Sequence, residues 1–115
     1  MPLLIKVQPD HTVFRAAGFV PLSEWQSALT ANLTGDPKGN RLLVDASAAA
    51  HTRTTDELKQ LASLIGRHAK RCAVRDANPE RGTLAQAIAG FAADVEAEIK
   101  LFPTESEAVD WLREG

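Results

Sequence analysis

Asp45, Ser47 and His51 set a carboxylate, a hydroxyl and an imidazole within seven residues of one another, the three groups that nucleophilic hydrolases combine. Such triads are defined by geometry rather than by closeness in sequence, and no Gly-x-Ser-x-Gly turn is present to expose a nucleophile. No catalytic residue is therefore assigned, and the expected function is non-enzymatic. A wider polar set follows the two most apolar runs of the chain: Asp45, Ser47, His51, Arg53, Thr54 and Thr55 after the first, and Asp76, Asn78, Arg81 and Thr83 after the second. If those runs are parallel strands, these residues share the rim at the strands' carboxyl ends, where helix N-termini offer amides to an anion or a partner. The same pattern is compatible with Thr54 and Thr83 simply capping helices among solvated loop residues.

Other chemistry finds little footing. His11, His51 and His68 share no metal-ligand spacing, and the 78–82 segment lacks the glycine-lysine pattern of a phosphate cradle, so neither metal nor cofactor is expected. Cys72 opens an apolar run with no second thiol in the chain, which reads as a small core residue. Trp25 and Trp111 fall on apolar helical stripes and read as core anchors.

The elements that must position the rim are legible from period and punctuation. Residues 3–8 alternate Leu3, Ile5 and Val7 with Leu4, Lys6 and Gln8, and a turn at Pro9-Asp10-His11 leads into a second run over 12–17, together predicting an antiparallel hairpin. Pro21 begins a helix whose stripe is Leu22, Trp25, Leu29 and Leu33. After the turn at 35–40, the run Leu42-Leu43-Val44-Asp45 shows no alternation, as a strand covered on both faces would.

Thr54-Thr55-Asp56-Glu57 fits a capping box opening a helix to about Ala69, and Cys72 to Arg75 supply the next strand. That strand, helix and strand should form a parallel crossover unit with both strands interior. Thr83 can cap a helix bearing Leu84, Ile88, Phe91 and Val95. Residues 98–102 read as a strand with Lys100 facing solvent, and Thr104-Glu105-Ser106-Glu107 is a second capping box before Ala108, Trp111 and Leu112. The order is ββαβαβαβα: an α/β fold with a mixed, mostly parallel sheet.

The 115 residues make one domain by length, and 44% hydrophobic with 24% charged is ordinary for a packed core. Net charge is −2 with basic residues scattered from Lys6 to Arg113, so nucleic acid is not an expected partner. A single cysteine and the lack of a cationic, apolar leader read as cytosolic, and no apolar stretch reaches the roughly 18 residues of a membrane span.

The element order and several local pieces resemble the SpoIIAA-like superfamily, which includes STAS domains. Those pieces are Ser23-Glu24-Trp25 at the first helix, Leu42-Leu43-Val44-Asp45 with a serine two residues on, Gly82-Thr83-Leu84-Ala85, and the ending Leu101-Phe102-Pro103 through Ala108-Val109-Asp110-Trp111-Leu112. The resemblance implies a regulatory, protein-interaction module whose partner is a kinase or another regulator. It also implies a phospho-acceptor at the helix start after the Asp45 strand, where Thr55 lies on the family's phosphorylated position and Thr54 beside it. Arg53, Asp56 and Thr52 stand where that family has an aspartate, a glycine and an aliphatic residue. Kinship of the fold with lipid-transfer domains implies an alternative, a carrier or sensor of a small apolar ligand, which would require a cavity lined by the helix stripes.

Overall fold

The computed structural model describes residues 3–36, 39–49, 55–76, 90 and 97–114. The chain forms β1 (Leu3–Val7), β2 (Thr12–Gly18), α1 (Leu22–Asn32), β3 (Arg41–Ala49), α2 (Thr55–His68), β4 (Arg71–Arg75), β5 (Glu98–Phe102) and α3 (Glu105–Glu114). The expected helix from Thr83 and the expected cap at Thr54 lie outside the described residues. Among the described residues, one five-stranded sheet has the order β1-β2-β3-β4-β5. β1 and β2 pair antiparallel, as a tight turn allows, and every later pairing is parallel. β3 and β4 are adjacent, parallel and interior, as the crossover unit requires.

Alternation along the strands sorts side chains onto two faces. Phe14, Val44 and Val74 share one face with Leu42 and Cys72, where they join Trp25, Leu29, Leu61 and Ile65 from α1 and α2 in the larger core. Val13, Leu43 and Ala73 point to the other face and meet Ala108 and Leu112 of α3. Leu42, Leu43 and Val44 are all fully buried, which is why this run carries no polar alternation. Cys72 is likewise buried, and burial pushes its thiol pKa up.

Three readings of packing and strand length need correction. The alternation of β1 predicts a buried face of Leu3, Ile5 and Val7, but only Leu3 is buried, while Ile5 is 38% and Val7 68% exposed. β1 ends the sheet among the described residues, and Ile5 and Val7 lie on the face of Phe14 and Thr12, where α1 and α2 pack with Phe14, Val44 and Val74 and bury only Leu3 of β1. The strand expected to stop at Asp45 continues to Ala49, because its backbone goes on pairing with Ala17 and Gly18 of β2 past a register shift. The small residues Ala46-Ser47-Ala48-Ala49 give no side-chain signal for that extension. Trp25 is a core anchor with no exposed surface, its ring 6.3 Å from Phe14, whereas Trp111 is only partly buried, 5.5 Å from the Phe102 ring.

Helix ends follow local rules. The Pro21 carbonyl accepts from the amides of Glu24 and Trp25, so Pro21 is the N-cap of α1 rather than its first residue. At α3 the second capping box forms in part: the Glu107 amide donates to the Thr104 hydroxyl at 3.3 Å.

Candidate functional site at the carboxyl ends of the strands

Arg15, Asp45 and Arg75 occupy one row of the sheet, each the register partner of the next across β2, β3 and β4. They share the face covered by α3, so one carboxylate lies between two guanidiniums. Arg15 Nη1 donates to Asp45 Oδ2 at 2.7 Å and Arg75 Nη1 to the same oxygen at 3.1 Å. The other oxygen, Oδ1, accepts the Ser47 amide at 3.1 Å. Arg15 Nη2 reaches on to Glu105 Oε1 at 2.7 Å, joining the first turn of α3 to the row.

Asp45 is only 7% exposed. Burial raises the pKa of its carboxyl, but the bonds from Ser47 and the charge and hydrogen bond of Arg75 more than offset this and hold it below the ordinary value. A carboxylate so engaged is held as an anion, fixed in place by two guanidiniums and a backbone amide.

The rim residues named from sequence are brought together in part. Asp45 and Ser47 are in direct contact at the register shift of β3. Asp76, 3% exposed, directly follows β4, and its amide donates to the Phe102 carbonyl at 3.0 Å. Thr55 is the first residue of α2, with Asp56 and Glu57 beside it in the first turn. His51, Arg53, Thr54, Asn78 and Arg81 lie outside the described residues.

Sequence reasoning missed Arg15, Arg75 and Glu105. An arginine inside the otherwise apolar run Val13-Phe14-Arg15-Ala16 was the available signal, since a charge on a covered strand face must find a partner. The identity of that partner depends on register.

Two of the surface grooves lie on opposite faces of the sheet, the first beside this arrangement. One, of about 570 Å³, lies between the hairpin and α3, with Lys6, Asp10, His11, Arg15, Glu105 and Arg113 among its walls. Arg113 Nε donates to Asp10 Oδ2 at 2.6 Å across it, and this bond, with a lesser one from His11, holds the Asp10 carboxyl down to about 2. The other, of about 420 Å³, runs between α1 and α2 beside Ser23, Gln26, Gln60, Ser63 and Arg67. Among the described residues no cluster of three or more His, Cys, Asp or Glu side chains could hold a metal ion, and no helix is long and apolar enough to cross a membrane.

No protein-family model matches the chain, and no curated protein sequence does. Solved structures do. A crystal structure of an anti-sigma factor antagonist from Mycobacterium paratuberculosis superposes with a TM-score of 0.67 at 21% identity, covering 96% of this chain and 92% of that one. An uncharacterized DUF3478-family protein from Shewanella loihica, described as having a SpoIIAA-like fold, gives 0.66 at 19% identity over 96% and 91%. This chain has a SpoIIAA-like fold.

Both matches are nearly end to end, so the SpoIIAA-like architecture accounts for the whole mixed sheet and its helices rather than for one crossover unit. At these identities the likeness concerns the fold. In the chain, α2 follows β3 and precedes β4, so its start comes after the carboxyl end of β3. The Arg15–Asp45–Arg75 row is a feature of this chain's own residues.

Proposed function

We propose that this protein is a non-enzymatic regulatory module that docks a protein partner, a kinase or another regulator, through the segment after β3 and the start of α2. The observation that carries the reading is the clamped state of Asp45: the buried acid of the rim is fixed between Arg15 and Arg75. It builds a rigid platform under the rim instead of supplying an acid or base. The fold, shared with a protein described as an anti-sigma factor antagonist, supports regulation as the class. Thr55 is the proposed phospho-acceptor, with Thr54 beside it.

A phosphate at the first position of α2 would add about −1.5 to −2 charges at the positive end of the helix dipole, changing the surface while leaving the helix intact. Asp56 and Glu57 in the same turn oppose it, which sets a modest limit on its stabilisation. The carrier alternative is less well supported, because Trp25, Leu29, Leu61 and Ile65, which would line its cavity, have no exposed surface.

The test compares Thr55→Glu and Thr55→Ala with wild type for partners recovered from the native host, together with mass spectrometry of the native protein for a phosphate on the Thr54–Thr55 peptide. Loss of a recovered partner in Thr55→Glu and its retention in Thr55→Ala is the expected result. Identical recovery by both variants and no phosphopeptide would remove the switch.

A further inference from the structure

β1 is an end strand of the sheet, and its sequence, Leu3-Leu4-Ile5-Lys6-Val7, carries a single charge. Leu4 is 61%, Ile5 38% and Val7 68% exposed. Exposed end strands usually carry several charges, a proline or a bulge that blocks further pairing. β1 pairs with β2 without a register shift over its full length.

The direction of its backbone groups follows from the turn. The Gln8 amide donates to the His11 carbonyl at 2.8 Å, so this pair belongs to the hydrogen-bonded set of the ladder. Such pairs alternate along an antiparallel ladder, which puts Lys6 with Val13 and Leu4 with Arg15 in the same set. The amides and carbonyls of Leu3, Ile5 and Val7 then point away from β2, along the outer edge.

We propose that β1 pairs antiparallel with β1 of a second copy of this chain, about a two-fold axis at Ile5, joining the two sheets into one. The strand is self-complementary in that register. Ile5 meets the partner's Ile5 and Leu3 meets the partner's Val7, and each pair exchanges both backbone hydrogen bonds because these are the outward-pointing residues. On the opposite face Lys6 lies across from the partner's Leu4, so its stem covers an exposed leucine and its ammonium meets no like charge. Centring the axis on Lys6 would set two ammonium groups face to face. Centring it on Leu4 would leave Val7 without a partner inside the strand. This fit favours a second copy over an unrelated extended peptide.

A five-residue ladder is short beside interfaces that bury about 1,600 Å², so the dimer is reversible, with a dissociation constant on the order of tens of micromolar. Sedimentation velocity over a concentration series reads it directly. Ile5→Pro removes an amide that points away from β2, and end strands tolerate proline. It should weaken association at least tenfold with an unchanged circular dichroism spectrum. Oxidative cross-linking gives a second reading should that variant fold poorly. Ile5→Cys should form a covalent dimer, because the two-fold axis sets the two Cα atoms about 5.5 Å apart, while Leu4→Cys, facing the partner's Lys6, should not. Cys72 is buried and does not compete. A wild-type protein that stays monomeric at several hundred micromolar, a dimer indifferent to Ile5→Pro, or equal cross-linking through both cysteines would overturn the proposal. These readouts concern self-association alone and stand apart from the partner experiment at Thr55.

Discussion

β4 begins and ends with an arginine on the same face of the sheet, and the two are used differently. Arg71, at the amino end, donates through Nε and Nη2 to the Trp111 carbonyl at 3.2 and 2.6 Å, lies 3.9 Å from the centre of the Trp111 ring, and pairs with Glu98. It thereby satisfies a carbonyl in the last turn of α3 and places a cation at the negative end of that helix. Arg75, at the carboxyl end, shares the Asp45 carboxylate with Arg15, and its Nε is buried with no hydrogen-bond partner among the described residues. The first cluster glues a helix to the sheet mainly through a carbonyl and an aromatic ring, its ion pairs with Glu98 and Glu114 being to exposed carboxylates. The second alternates full charges beneath a rim around a buried carboxylate, so its stability depends on protonation more than the first's does.

The largest expected effect comes from removing the shared acid. Asp45→Asn leaves Arg15 and Arg75 facing each other and should cost roughly 2–3 kcal/mol at pH 7, somewhat below the loss for breaking a fully buried pair because Arg15 is partly solvated. Urea unfolding measures it, and pH sharpens it. A carboxyl held below its ordinary pKa contributes stability that is fully present above the unfolded value near 3.9 and is lost as pH falls through the folded value. The gap between wild type and Asp45→Asn should therefore close as pH drops below about 4. A constant gap from pH 7 to 3 would mean that the carboxylate charge is not what the two arginines require.

Arg71→Ala should be next, at about 2 kcal/mol, from the lost helix-end hydrogen bonds and the stacking on Trp111. In 1 M salt this loss should persist, whereas the Asp45 penalty should shrink. If both losses respond alike to salt, the contrast between the two ends of β4 fails. Smallest is Arg113→Ala, which breaks the exposed pair with Asp10, 60% and 41% solvent-accessible at the side chains. It should leave stability almost unchanged in urea unfolding, and a clear loss would show that this pair also anchors α3 to the hairpin turn.

Legibility tracked how local each signal was. The stripes of α1 and α2, the hairpin turn and the fully buried run Leu42-Leu43-Val44 could all be read from neighbouring residues, and the structure places them as read, while the capping box at Thr104 forms in part. The candidate site was legible only in outline. Asp45, Ser47 and Asp76 were named from their place after apolar runs, yet the arginines that define the state of Asp45 were not, because nothing near Arg15 in the chain names its partner. Trp111 shows the same limit on a helix: the stripe identified its packing face but not that an arginine from β4 would sit over the ring.

What the amino-acid order alone determined is therefore the kind and approximate extent of the described elements and, apart from β1, their buried faces, since periodicity and capping act over three or four residues and need no distant partner. Tertiary structure decided which charges meet. Arg15 and Asp45 lie 30 positions apart, as do Asp45 and Arg75, and Arg15 and Glu105 lie 90 apart. They come together only through the register of three parallel strands and the placement of α3 across them. The same strand order decided that Ile5 and Val7, which alternate like core residues, stand exposed at the sheet's edge. An apolar pattern specifies a face to be covered, and only the packing of the whole chain determines whether a helix reaches it.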